Sequence, residues 1–269
     1  MQSFHLLSCF LILSYAVYSQ SPAQWRGPDR GGVFNETNLL KEWPAAGPYM
    51  LWSADGIGKG FSSAVSDGKV VYVTGLKDST DLLTAISLQG KTLWQTSIGP
   101  SWPGAPKTNT ITPLFDNGAI YITGGYDHVG VMFRISDDGS RITKMWTDTV
   151  LDCHHGGVLL LNGYIYGSNW IDNSRGNWCC LDWKTGKLMW EEKWITKGPI
   201  ISADGMLYCQ EEKSGTIGLV KPDPQKFTLI SSFKASLGKG PYWAHPSISN
   251  GILYIRHGDV LMAYDIRKK

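Results

Sequence analysis

The chain has 269 residues, 42% of them hydrophobic, with 31 glycines and 12 tryptophans, enough apolar side chain for a sizeable core and no bias toward extended disorder. Its 25 basic and 23 acidic side chains nearly cancel, and only Arg267-Lys268-Lys269 forms a run of like charge. Neither nucleic acid nor an anionic membrane surface is therefore an expected partner.

In chain order the first feature is an apolar run from Leu6 to Val17 followed by Val17-Tyr18-Ser19, which predicts an export signal over residues 1–19. No later stretch approaches the ~20 apolar residues needed to cross a bilayer. The mature chain is expected in the periplasm or outside the cell, with no transmembrane segment after the signal. Residues 20–47 are assigned to an N-terminal extension and 48–269 to a single repeat domain.

The repeat is announced by its turns. Asp67-Gly68 recurs as Asn117-Gly118, Asn162-Gly163, Asp204-Gly205 and Asn250-Gly251, each followed by a run such as Val70-Val71-Tyr72-Val73 or Ile252-Leu253-Tyr254-Ile255. A Gly after Asn or Asp between apolar runs is a strong hairpin signal, because the turn requires positive φ. Downstream of the first hairpin, Leu83 to Trp94 reads as strand, glycine turn and strand ending in Trp, and Trp178 to Trp190 repeats it.

Four strands per repeat, without sustained helical periodicity, predict an all-β chain, a β-propeller of four-stranded antiparallel blades with about five blades. The fifth repeat stops after three strands, at Val260 to Asp265, while Tyr49-Met50-Leu51-Trp52 is an orphan strand ending in Trp. An N-terminal strand completing the last blade would remove an open sheet edge. Trp94, Trp146 and Trp190 end equivalent fourth strands and are expected to pack between blades.

Several stretches, Gln24-Trp25-Arg26-Gly27-Pro28-Asp29, Gly58-Lys59-Gly60-Phe61-Ser62-Ser63, Ser101-Trp102-Pro103-Gly104, His154-His155-Gly156-Gly157, Cys180-Leu181-Asp182-Trp183 and Trp243-Ala244-His245-Pro246, resemble the pyrroloquinoline-quinone-like (PQQ-like) propeller repeat family, in its exported bacterial branch. Its members include quinoprotein alcohol dehydrogenases and the propeller lipoprotein of outer-membrane β-barrel assembly. The family usually has seven or eight blades. The resemblance skips between Pro103-Gly104 and Thr110-Ile111, as if central blades were absent, which leaves a closed five-blade ring and an open arc as alternatives.

Alignment on the hairpin glycine places His155 opposite Gly60, Thr110, Lys197 and Trp243, at the start of each blade's first strand, the strand expected to be innermost. The candidate binding residues are Lys59, His154, His155, Lys197, Trp243 and His245, gathered around one mouth of the central channel. Neighbouring residues of an extended strand point to opposite faces, so His154 and His155 are not expected to share a metal, and no metal site is assigned. The resemblance raises pyrroloquinoline quinone with calcium as a cofactor, but no ligand set for it is recognisable; Asp127 and Asp152 are the most conspicuous acids outside the turns. Cys179-Cys180 invites comparison with the adjacent-cysteine disulfide of quinone dehydrogenases, yet aligns with Thr84-Ala85 and Met262-Ala263 inside a third strand, where a core role is expected. The expected function is a binding scaffold for an unknown protein or small molecule. The alternative is a quinoprotein-type oxidoreductase acting on alcohols or sugars.

Overall fold

A computed structural model describes residues 25–100, 111–125, 127, 129–137 and 140–269. The export signal, Trp102 and Thr110 lie outside the described residues. Two short strands, β1 (Val33–Phe34) and β2 (Tyr49–Ala54), precede the hairpin repeats. Blade 1 holds β3 (Val65–Ser66), β4 (Val70–Lys77), β5 (Thr80–Ser87) and β6 (Thr92–Pro100); blade 2 holds β7 (Leu114–Asp116), β8 (Ala119–Ile122), β9 (Gly130–Ile135) and β10 (Ile142–Asp148). Blade 3 follows with β11 (Val158–Leu161), β12 (Tyr164–Ser168), β13 (Trp178–Asp182) and β14 (Leu188–Glu192), and blade 4 with β15 (Ile200–Ala203), β16 (Met206–Gln210), β17 (Thr216–Lys221) and β18 (Thr228–Lys234). Blade 5 contributes β19 (Ser247–Ser249), β20 (Ile252–His257) and β21 (Val260–Asp265). Its fourth strand is β2, antiparallel to β21 with Trp52 opposite Ala263.

The chain is therefore an all-β propeller of about five blades with the expected strand exchange. At four of the five hairpins both turn residues have positive φ, as in Asn162 (52°) and Gly163 (80°), the conformation that a two-residue turn between twisted strands demands. The first strands are the inner ones: β11 lies against both β7 and β15. The N-terminal extension packs onto the propeller. Its β1 pairs in parallel with the inner edge of blade 4, Val33 opposite Ser202, so the chain's own N-terminal segment lines the channel there.

Each blade has a forward face carrying a second-strand Tyr and an apolar rear face, set by the two-residue alternation of its strands. On the second strand a Tyr points forward while its neighbours point back. Four core clusters join the forward face of one blade to the rear face of the next: blade 2 to 3 through Tyr121, Trp146, Ile165 and Leu181; blade 3 to 4 through Tyr166, Trp190, Leu207 and Val220; blade 4 to 5 through Tyr208, Phe233, Leu253 and Met262; and blade 5 to 1 through Tyr254, Trp52, Val71 and Ile86. Arg256 reinforces the last junction by donating to the Gly58, Ser62 and Thr74 carbonyls of blade 1.

Among the described residues no core cluster joins blade 1 to blade 2. Trp94, expected to pack between blades like Trp146 and Trp190, is 45% exposed. Among the described residues the fold thus has an open seam between blades 1 and 2, at the place where the family resemblance skips.

Candidate functional site

The mouth is built from loops that lead into the inner strands of blades 3, 4 and 5. His154 and His155 sit in a bend ahead of β11, with Gly157 at φ 73°. This backbone is not extended, so the expected opposite orientation does not hold: the two imidazoles lie edge to face, 4.9 Å between centroids. Lys197 comes from the loop before β15, Glu212 from the turn after β16, and Trp243 from the loop before β19.

Glu212 is the hub. Its Oε1 is 2.7 Å from Lys197 Nζ and its Oε2 is 2.9 Å from His155 Nε2, with Lys197 and Glu212 both buried. Lys197 also donates to the Asp172 carbonyl at 2.9 Å. Burial alone would raise the Glu212 carboxyl, but the contacts from His155 and Lys197 outweigh it and hold the group below its ordinary value. Burial, then the neighbouring His155 and Lys197, lowers His154, favouring its neutral form. Trp243 is 42% exposed, with ring centroids 5.5 Å from His155 and 4.9 Å from Phe61.

His245 has a different place from the one expected. Instead of presenting its ring at the mouth, it braces the backbone beneath: Arg26 Nη1 donates to its Nδ1 at 2.9 Å, and its Nε2–H donates to the His155 carbonyl at 2.8 Å. Burial, then the Arg26 charge, pushes it down to about 3, so it is neutral. Arg26 itself donates to the Val158 carbonyl of β11. Lys59 is exposed and pairs through its backbone with Leu76; it meets the cluster only through Phe61, with which it lines a groove.

His154, His155, Lys197 and Trp243 are thus brought together, and the repeat position shared by His155, Lys197 and Trp243 explains why: equivalent strand starts converge at the axis. The alignment missed Glu212, Arg26 and Phe61. Glu212 did carry a signal, because it stands seven residues after its hairpin glycine, where the other repeats have Gly75, Gly125, Trp170 and Gly258.

Beside the mouth a cavity of about 420 Å³ opens onto the forward face of blade 1, lined by Trp25, Phe61, Val65, Tyr72, Leu83 and His245 among others. A separate cavity of about 470 Å³ between blades 2 and 3 includes Asp127, Asp152 and Glu191; the Asp127 amide donates to Asp152 at 2.7 Å.

Residues 49–192 match the family model described as outer membrane protein assembly factor BamB, a PQQ-like repeat model, over more than half of the chain. The chain belongs to this PQQ-like propeller repeat family. A comparison with curated proteins finds no match. Among solved structures this PQQ-like propeller is similar to the WD40 domain of Toxoplasma gondii coronin, 8% identical with TM-score 0.42, covering 87% of this chain and 85% of that one. It is also similar to a chain of a nidogen/laminin complex, 16% identical with TM-score 0.39, covering 78% and 77%. Likenesses of that order carry no argument about function.

The family's quinone and calcium can be tested against the donors present. A calcium ion takes six to eight oxygen ligands, and the one carboxylate seen at the mouth among the described residues, Glu212, is committed to Lys197 and His155. The described residues contain no group of three or more His, Cys, Asp or Glu side chains arranged to hold a metal. Cys179 and Cys180 are both buried free thiols on opposite faces of β13, one in the core between blades 2 and 3 and the other between blades 3 and 4. The described residues of the mouth do not fit the quinone–calcium pair.

Proposed function

We propose that this PQQ-like propeller is an exported binding scaffold whose ligand or protein partner docks at the channel mouth, on Trp243, His154 and His155. The observation that carries the reading is the convergence of His155, Lys197 and Glu212 from blades 3 and 4, with the exposed Trp243 of blade 5 against His155. An aromatic face next to imidazole, on a base pinned by a buried ion pair, offers stacking and hydrogen bonding from a preorganised surface. No helix of the described residues is long and apolar enough to cross a membrane. Export rests on the apolar run from Leu6 to Val17 and on the envelope role named in the family description.

A fragment and peptide library read by ligand-induced Tm shift tests the site. Hits are expected to weaken at least about tenfold, roughly 1.4 kcal/mol, in Trp243→Ala and His155→Ala, and to persist in Trp94→Ala, which lies on another face. Hits indifferent to both mouth substitutions would refute this placement. The oxidoreductase alternative has its own check: after incubation with calcium and pyrroloquinoline quinone, the gel-filtered protein is expected to carry no quinone absorbance and to reduce no dye with alcohols or sugars. Retained cofactor with turnover would favour the enzyme.

A further inference from the structure

The open seam exposes two faces that elsewhere in the molecule are always covered. On the rear face of each blade, the second-strand residues flanking the forward Tyr are at most 2% exposed in blade 1 (Val71, Val73), blade 3 (Ile165), blade 4 (Leu207, Cys209) and blade 5 (Leu253, Ile255). In blade 2 the equivalent Ile120 and Ile122 are partly exposed, as are Val131 and Phe133 beside them, and Phe115 is 66% exposed. Cross-strand pairing puts these five on one face: Phe115 opposes Ile120, Ile120 opposes Phe133, and Ile122 opposes Val131.

The forward face shows the converse. Tyr121, Tyr166, Tyr208 and Tyr254 are at most 2% exposed, whereas Tyr72 of blade 1 is partly exposed. Val65 and Ala85 oppose Tyr72, Leu83 opposes Thr74, and Trp94 opposes Ala85. The forward face left without a neighbouring blade is therefore Val65, Tyr72, Leu83 and Trp94, with the Tyr72 and Trp94 rings 6.2 Å apart. Tyr121–Trp146, Tyr166–Trp190 and Tyr254–Trp52 have the same geometry, at 5.4, 6.1 and 6.1 Å, and each of those pairs is packed against the next blade.

We infer that the open seam is a self-association surface, on which the forward face of blade 1 in one copy receives the rear face of blade 2 in a second copy. The occupant follows from the chemistry of the two faces. Each is one half of a kind of junction that this sequence builds four times within itself, three times with a Tyr–Trp pair and once with Tyr208 and Phe233, against a layer of apolar side chains. A second copy supplies the missing half with an apolar face of the same pleat, widened by Phe115 and Phe133. Apolar patches of this extent mark contact surfaces on soluble proteins, and a net charge of +2 sets little repulsion against self-association. Because the two faces differ, the contact is heterologous: it closes into a ring of copies or propagates.

Two substitutions at positions exposed in the monomer separate the faces. Trp94→Glu removes the forward half and Phe115→Glu the rear half. Sedimentation velocity of the wild-type chain is expected to show a mass rising from monomer as concentration increases through the micromolar range. Each variant alone is expected to associate at least about tenfold more weakly, because a carboxylate must be desolvated in an apolar junction. An equimolar mixture retains one intact pairing, Trp94 of the Phe115→Glu chain with Phe115 of the Trp94→Glu chain, and is expected to form a one-to-one dimer.

A wild-type chain that stays monomeric overturns the inference, as does an oligomer indifferent to both substitutions or a mixture that remains monomeric. Hydrogen exchange of the wild-type chain gives a readout that needs no variant. Protection that rises with concentration over residues 83–96 and 115–133 supports the seam contact; protection gained only elsewhere overturns it.

Discussion

Glu212 is the residue on which the mouth depends most. With Lys197 buried and its ammonium held by one carboxylate oxygen, removal of that charge leaves an uncompensated cation in the interior, a loss of about 3 kcal/mol. Glu212→Gln is accordingly expected to lower the urea midpoint markedly, while Glu212→Gln combined with Lys197→Met recovers much of the loss. A double variant no more stable than the single one would show that the pair is not energetically coupled. His245 makes a pH prediction. Its folded value is about 3 against an ordinary 6.5, so below pH 6.5 the unfolded chain takes up a proton that the folded chain refuses. The contribution is fully present above that value and is lost progressively as the pH falls toward about 3. Gln at this position can accept from Arg26 and donate to the His155 carbonyl without titrating. His245→Gln should therefore lose less stability than wild type between pH 7 and pH 4, and equal losses would contradict the assignment of a neutral buried ring.

At the level of elements, the hairpins were the most legible part of the sequence, since Asn-Gly and Asp-Gly turns between apolar runs encode local backbone conformation that survives in any context. The exchange of β2 into blade 5 was legible for a related reason: a three-strand repeat and an orphan strand ending in Trp each lacked what the other had. Trp52 packs beside Tyr254 and donates from its indole to the Leu88 carbonyl of blade 1 at 2.8 Å, so it ties the closing strand to the neighbouring blade. Trp52→Ala is expected to cost about 3 kcal/mol and to raise hydrogen exchange in β2 and β21 together; a change confined to β2 would indicate that the strand is a loose appendage. What sequence periodicity could not convey was the loop geometry. An extended strand would point His154 and His155 to opposite faces, but the bend over residues 154–156, followed by Gly157 at positive φ, sets them side by side. Arg26, in a segment taken as an extension outside the propeller, reaches the inner strand of blade 3.

For the whole molecule, the repeat count predicted the number of blades but not how they close. Trp94 has the same sequence context as Trp146 and Trp190; whether such a side chain is buried depends on what its neighbour presents, and that is a long-range property no local pattern holds. The open seam also shapes the site, because the cavity beside Trp25 and Phe61 runs onto the uncovered face of blade 1. Hydroxyl-radical footprinting of the wild-type chain, diluted until it is monomeric, tests this account most directly. Open at the seam, the propeller should show Trp94, Phe115 and Tyr72 oxidised readily, with Trp178, Tyr121, Tyr166 and Tyr254 protected. Protection of Trp94 and Phe115 equal to that of Trp178 in the monomer would mean that blades 1 and 2 are joined, and would contradict the open propeller described here.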